Sequence, residues 1–147
     1  MSELPASVLF VCSMNAIRSP IAEALLKALH GKRVFVQSAG VRRGARDPLV
    51  VEVMDEIGLD LSGHRPKTLD DLDDSFFDLV VTLSPEAHHR ALELTSASAC
   101  EVEFWRVPDP SLVEGSREQR LAAYRSLRDH LQARIRDRFP PLAAPTL

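Results

Sequence analysis

Cysteine is scarce in this chain, two among 147 residues. That excludes a framework of structural disulfides and points to a reducing compartment. No apolar run approaches the ~18 residues that a membrane span needs. The opening segment MSELPASVLFVC has no basic stretch, and its apolar run is too short for a secretory leader. We therefore expect a cytoplasmic protein. Neither sign of charge dominates. The formal net charge is −3, so there is no general attraction to nucleic acid or to an anionic membrane. Repeats and low-complexity tracts are absent. The five histidines form no His-x-x-x-His set, and there is no Cys-x-x-Cys; no metal and no cofactor is expected. The acidic run DDLDD at 70–74 lacks the glycine and terminal glutamate of a calcium loop, and reads as an exposed loop or helical turn.

What is present suits one globular domain over residues 1–147, with 141–147 as a frayed tail. Four segments read as strands: 7–11, 34–39, 77–83 and 100–107. Their near-continuous apolar runs fit a parallel sheet covered on both faces. Helices with clear punctuation lie between them. Ser19-Pro20 offers a cap and a first-turn proline, with Gly31 closing that helix. Asp47-Pro48 does the same for 48–57, before Gly58, and Ser84-Pro85 for 85–94. The last helix starts at Ser116, where Gln119 completes a capping box. Its buried stripe is Leu121, Tyr124, Leu127, Leu131 and Ile135, and Pro140-Pro141 ends it. The alternation predicts a single three-layer α/β domain: a four-stranded parallel sheet in flavodoxin-like order 2-1-3-4, with helices on both faces.

Such folds bind ligands beyond the carboxyl ends of the strands. The segment SVLFVCSMNAIRSP places Cys12 there, at the end of the first strand. A loop leading into a helix start turns backbone N–H groups toward one point, and the helix dipole favours an anion. Arg18 adds a planar cation able to grip two oxygens. The same field favours the thiolate of a cysteine placed beneath it. Ser19 is positioned to donate to that sulfur. Asp109, in VPDP after the fourth strand, is the candidate acid for a leaving oxygen, with Pro108 and Pro110 stiffening its loop.

VCSMNAIRSP resembles the C-x5-R-S phosphate loop of the low-molecular-weight protein tyrosine phosphatases and their thioredoxin-coupled arsenate reductase relatives. SAG at 38–40, DPLVVEVMDEIGLDLSGHR at 47–65, DLVVTLS at 78–84 and VPDP at 107–110 extend the likeness in the same order. The resemblance implies that Cys12 is a nucleophile, Arg18 a phosphate clamp and Asp109 a general acid. It implies a phosphate loop of Ser13, Met14, Asn15, Ala16, Ile17, Arg18 and Ser19. Within it, Asn15 would hold a left-handed turn and Ser19 would support the thiolate. Ser38 and His64 would brace the loop from outside.

The chain also departs from that pattern. Ile17 stands where the phosphatases often carry a second cysteine, so no protective disulfide with Cys12 is available. Ser111 and Leu112 replace the tyrosines that often follow the Asp-Pro, and the only tyrosine is Tyr124. The loop VRRGAR at 41–46 is short and has no aromatic residue to stack on a substrate ring. Its Arg42, Arg43 and Arg46 are expected at the rim, steering phosphorylated substrates or remaining a solvated loop. Ser84 and Ala91 stand where the reductases place their relay cysteines. Cys100 reads as a buried structural thiol, His88-His89 as solvated helix surface, Trp105 as packing, and the arginines of 117–138 as mostly solvent-facing.

Three functions follow as expectations. The first is a cysteine-dependent phosphomonoesterase acting on aryl phosphates, phosphotyrosine in proteins above all. The second is an arsenate reductase that takes its resolving thiol from glutathione or a glutaredoxin. The third is a phosphate- or phosphopeptide-binding module without turnover. The expected partners are a phosphorylated protein or small aryl phosphate, with phosphate or arsenate as ligand.

Overall fold

Four short strands lie side by side in the order β2-β1-β3-β4, all parallel. They are β1 (Ser7–Cys12), β2 (Phe35–Gly40), β3 (Leu79–Thr82) and β4 (Glu101–Phe104). The helices between and after them are α1 (Arg18–His30), α2 (Pro48–Asp55), α3 (Pro85–Thr95) and α4 (Arg117–Arg138). The computed structural model describes residues 4–72, 77–95 and 100–141.

Side chains alternate across β1 as a strand requires. Val8, Phe10 and Cys12 face one core with the apolar stripes of α1, α2 and α4. Leu9 and Val11 face a smaller core with Ala87 and Ala91 of α3. Both faces of the sheet are therefore covered, which explains the continuous apolar runs. The expected stripe of α4 is buried in full, from Leu121 to Ile135. Each such residue contributes at most ~1.5–3 kcal/mol by area removed from water. Trp105 joins this core just after β4, edge-on to Phe10 at 6.0 Å between ring centres.

The chain leaves β1 for β2 on one side and later crosses back to β3 on the other. The gap between β1 and β3 is thus the switch point of the sheet, with Cys12 at its carboxyl end.

Several local expectations need correction. Ser19 is not the cap of α1; the helix begins at Arg18 with Ile17 in the cap position and no side-chain cap bond. Cys100 is half-buried rather than sealed and precedes β4. His88 is only partly solvated. Its Nδ1 lies 3.0 Å from Thr82 Oγ1, and its ring stacks on Phe104. Arg128 is buried, because Nη1 donates to the Val53 carbonyl and to Glu56 at the end of α2. Of DDLDD, Asp70 and Asp71 lie in a 3-10 turn (Leu69–Asp71), while 73 and 74 fall outside the described residues. So does most of the expected frayed tail, 142–147.

Glu56 joins α2 to α4 by accepting from Arg125 and Arg128. Those bonds, Arg125's first, pull its carboxyl from the usual 4.5 to about 2. A depressed carboxylate stabilises the fold above its unfolded pKa, and that contribution is lost as pH falls through the folded value. Melting wild type and Glu56→Gln across pH should therefore show a gap that is constant above pH ~5 and closes between ~4.5 and ~2. A gap independent of pH would show that the pair contributes nothing through its charge.

Candidate active site

The segment from Cys12 to Ser19 curls from β1 into α1. Its shape depends on Asn15, which is fully buried at φ 53°. That left-handed conformation costs most side chains ~1–2 kcal/mol, and asparagine tolerates it better. Every polar group of Asn15 beyond the backbone is used. Nδ2 donates to Ser19 Oγ and to Ser38 Oγ, each at 2.9 Å. Oδ1 accepts from the Lys67 amide at 2.9 Å. The Asn15 carbonyl lies 2.9 Å from His64 Nε2. The Ser38 hydroxyl in turn donates to Glu23 of α1. The residues named from the sequence as braces are thus gathered on one asparagine. Glu23 was not foreseen; it lies four residues after Ser19, on the same helical face.

From outside, the backbone at 41–44 holds the loop. Val41, Arg42 and Gly44 donate their N–H groups to the carbonyls of Cys12, Ser13 and Met14 at 3.1, 2.8 and 2.9 Å. Gly40 has no room for a side chain. A Cβ there would sit 2.7 Å from Asn15 N and 2.8 Å from the Met14 carbonyl carbon.

Cys12 is 2% exposed. Its Sγ accepts from the Asn15 amide at 3.3 Å and lies 2.9 Å from Ser19 Oγ. The first turn of α1 leaves N–H groups without helical partners. Asp47 and Ser116 cap α2 and α4, and Ser84 accepts from Ala87 N at the start of α3, whereas among the described residues no side chain caps α1. Arg18 Nη1 donates to the Val107 carbonyl at 3.3 Å and more loosely to that of Leu83 at 3.5 Å. The guanidinium is thereby held beyond the ends of β4 and β3.

A cavity of about 210 Å³ opens over the sulfur, lined among others by Cys12, Arg18 and Asp109. Asp109 caps a 3-10 turn (Pro110–Leu112). Its Oδ1 accepts from the Ser111 amide at 2.9 Å and hydroxyl at 2.7 Å. Asp47 lines the same cavity. In sequence Asp47 reads as a helix start alone; its place directly after the loop following β2 is the signal that brings it to the cavity. Tyr124 donates to Asp47 Oδ2 at 2.7 Å. Burial, that bond and the Asp47 charge push the Tyr124 hydroxyl well above its usual range, with Asp109 adding to the shift.

The arginines of the 41–46 loop do not line the cavity itself. Arg42 is paired with Glu86 and Arg43 with Asp71, and none of Arg42, Arg43 and Arg46 lines the cavity. Gly44 and Ala45 of the same loop form the wall instead. Cys100 precedes β4, at the opposite end of the parallel sheet from Cys12, and burial pushes its thiol up.

Residues 7–144 match the profile of the family described as low molecular weight phosphotyrosine protein phosphatase. The chain belongs to that family. An arsenate reductase of Halalkalibacterium halodurans is 34% identical over 129 residues, 88% of this chain and 91% of that one. An arsenate reductase solved in its phosphate-binding state superposes with a TM-score of 0.74 at 26% identity, covering 89% of this chain and 94% of the other. The arginine phosphatase YwlE of Bacillus subtilis, solved with a phosphorylated active-site serine, gives 0.68 at 26%, covering 88% and 91%. Both phosphatases and arsenate reductases therefore share this family fold.

Replacing Asn15 tests the loop's keystone. Asn15→Ala should destabilise the protein by ~2–4 kcal/mol in urea melts, from strain at positive φ plus lost hydrogen bonds. Asn15→Gly, free of the strain, should lose less. Equal losses would mean that the backbone conformation carries no cost.

Proposed function

We propose that this protein is a cysteine-dependent phosphomonoesterase that acts through a phosphocysteine, with aryl phosphates, including phosphotyrosine in proteins, as substrates. The observation that carries this is one cavity lined by Cys12, Arg18 and Asp109 above an uncapped helix start. Arg18 and the loop amides hold the phosphoryl oxygens and offset their charge. The Cys12 thiolate attacks phosphorus; the S–P bond forms as the P–O bond breaks. The leaving phenolate, whose conjugate acid has a pKa near ~10, takes a proton from the Asp109 carboxyl. Water then attacks the phosphocysteine and gives its proton to the Asp109 carboxylate. Phosphate leaves and the thiolate is restored. Asn15, Ser19, Ser38 and His64 keep the loop in position for both steps.

Arsenate reduction is the second reading, favoured by the relatives' names. Reducing arsenate to arsenite takes two electrons, one from each of two thiols. Cys12 supplies the first. Cys100 lies at the wrong end of the sheet to supply the second, so an external thiol would have to.

Cys12→Ser should abolish hydrolysis of p-nitrophenyl phosphate and still bind inorganic phosphate. Asp109→Asn should cost ~10²–10⁴-fold in kcat on a phosphotyrosine peptide. The loss should be smaller on p-nitrophenyl phosphate, whose phenol leaves more readily. Equal hydrolysis by wild type and Cys12→Ser would refute the proposal, and tight phosphate binding without any turnover would leave a binding module.

A separate assay offers arsenate with glutathione and glutaredoxin. Cys12-dependent arsenite would establish the second reading, and no arsenite under any thiol supply would remove it.

A further inference from the structure

Asp109 is held by a neighbour to which the chemistry above gives no part. The backbone on either side of Asp109 is fixed. Before it, the Val107 carbonyl accepts from Arg18 Nη1 at 3.3 Å. After it, Pro110 is buried and opens the 3-10 turn. The carboxyl itself belongs to a residue that is only half-buried. Side-chain torsion would swing it between cavity and solvent if nothing bound it. Among the described residues, its hydrogen bonds all come from Ser111, which lines the same cavity.

Both bonds end on one oxygen. Oδ1 accepts from the Ser111 amide at 2.9 Å and from the Ser111 hydroxyl at 2.7 Å. A carboxylate oxygen offers about two lone-pair sites. Those of Oδ1 are filled, so the proton that Asp109 gives up belongs on Oδ2. The chain contains a second Asp-Pro turn for comparison. Asp47 Oδ1 accepts from the Leu49 amide in the same way, at 2.9 Å. Leucine has no hydroxyl to add, and Asp47 Oδ2 is taken by Tyr124 at 2.7 Å. The amide bond is therefore the turn's own. The hydroxyl bond is an addition at residue 111, and it goes to the turn whose other oxygen stays open.

We infer that the Ser111 hydroxyl is a positioning group for the acid: it secures Oδ1 of Asp109, assigns the proton to Oδ2 and keeps that oxygen for the leaving group. The inference rests on Cys12, Arg18 and Asp109 acting as proposed above. As the S–P bond forms at Cys12 and the P–O bond breaks, the proton on Oδ2 passes to the departing oxygen. In the second step the attacking water returns a proton to Oδ2. Ser111 keeps its own proton throughout and only directs it at Oδ1.

The test compares kcat/KM for phenyl phosphate and for 2,4-dinitrophenyl phosphate in wild type, Ser111→Ala and Ser111→Thr. That ratio reads the transfer to Cys12, in which the phenol departs. Phenol needs a proton as it leaves, whereas dinitrophenol leaves as its anion. Ser111→Ala keeps the amide and hence the turn. It should lower kcat/KM ~3–10-fold on phenyl phosphate, the effect of one lost hydrogen bond. On 2,4-dinitrophenyl phosphate it should stay within about twofold of wild type. Ser111→Thr restores the hydroxyl and should restore the rate. Added to Asp109→Asn, Ser111→Ala should cost nothing more. An equal loss on both substrates, no loss on phenyl phosphate, a threonine variant as slow as alanine, or a further loss in the Asp109→Asn background would each overturn the inference. The proposed function would still stand on inactive Cys12→Ser and slow Asp109→Asn. Asp109→Asn as fast as wild type on phenyl phosphate would instead remove the acid itself, and the role of Ser111 with it.

Discussion

An open helix start above a buried sulfur is the constraint around which the rest of this molecule is arranged. Elsewhere the chain closes its helix ends with side chains, through Asp47, Ser84 and Ser116. At α1 it leaves the first turn unsatisfied and spends its polar groups on holding the approach to that turn. Asn15 adopts a backbone conformation few residues accept, and Ser19, Ser38, His64 and the Lys67 amide are all satisfied through it. Unpaired N–H groups are costly when buried and valuable when an anion is present to accept from them. The site is thus prepared for a tetrahedral oxyanion before one arrives, which is how electrostatic stabilisation avoids reorganisation during a reaction.

The cavity carries both signs of charge. Its lining brings together Arg18 and the start of α1 with two carboxylates, Asp109 and Asp47. One carboxylate fits the role of proton donor and acceptor. The second is tied by Tyr124 to α4, a long helix whose stripe anchors it in the core. The position of Asp47 therefore rests on the same packing that stabilises the fold.

Much of this was legible in the residues. Continuous apolar strands and Pro- or Gly-marked helix ends suffice for the parallel α/β architecture, because each signal has a local physical cause. The roles assigned to Asn15, Ser38 and His64 came from family likeness, since no local rule tells residue 15 that residues 38 and 64 will be neighbours. Ser19 was misread as a cap because its sequence context, Ser-Pro, is that of one; tertiary partners at Cys12 and Asn15 drew it into the helix instead. Arg42, Arg43 and Arg128 were assigned by composition of their segments, and their partners Glu86, Asp71 and Glu56 are distant in sequence. Asp47 was seen as a cap, which it is, but its second oxygen faces a tyrosine 77 positions away.

The most direct test of the central claim is a rapid acid quench of the enzyme turning over a 32P-labelled substrate, followed by peptide mapping. The account predicts label bound through sulfur on the peptide that carries Cys12, appearing and decaying at rates compatible with turnover. Turnover with no labelled protein, or label on any other residue, would contradict it.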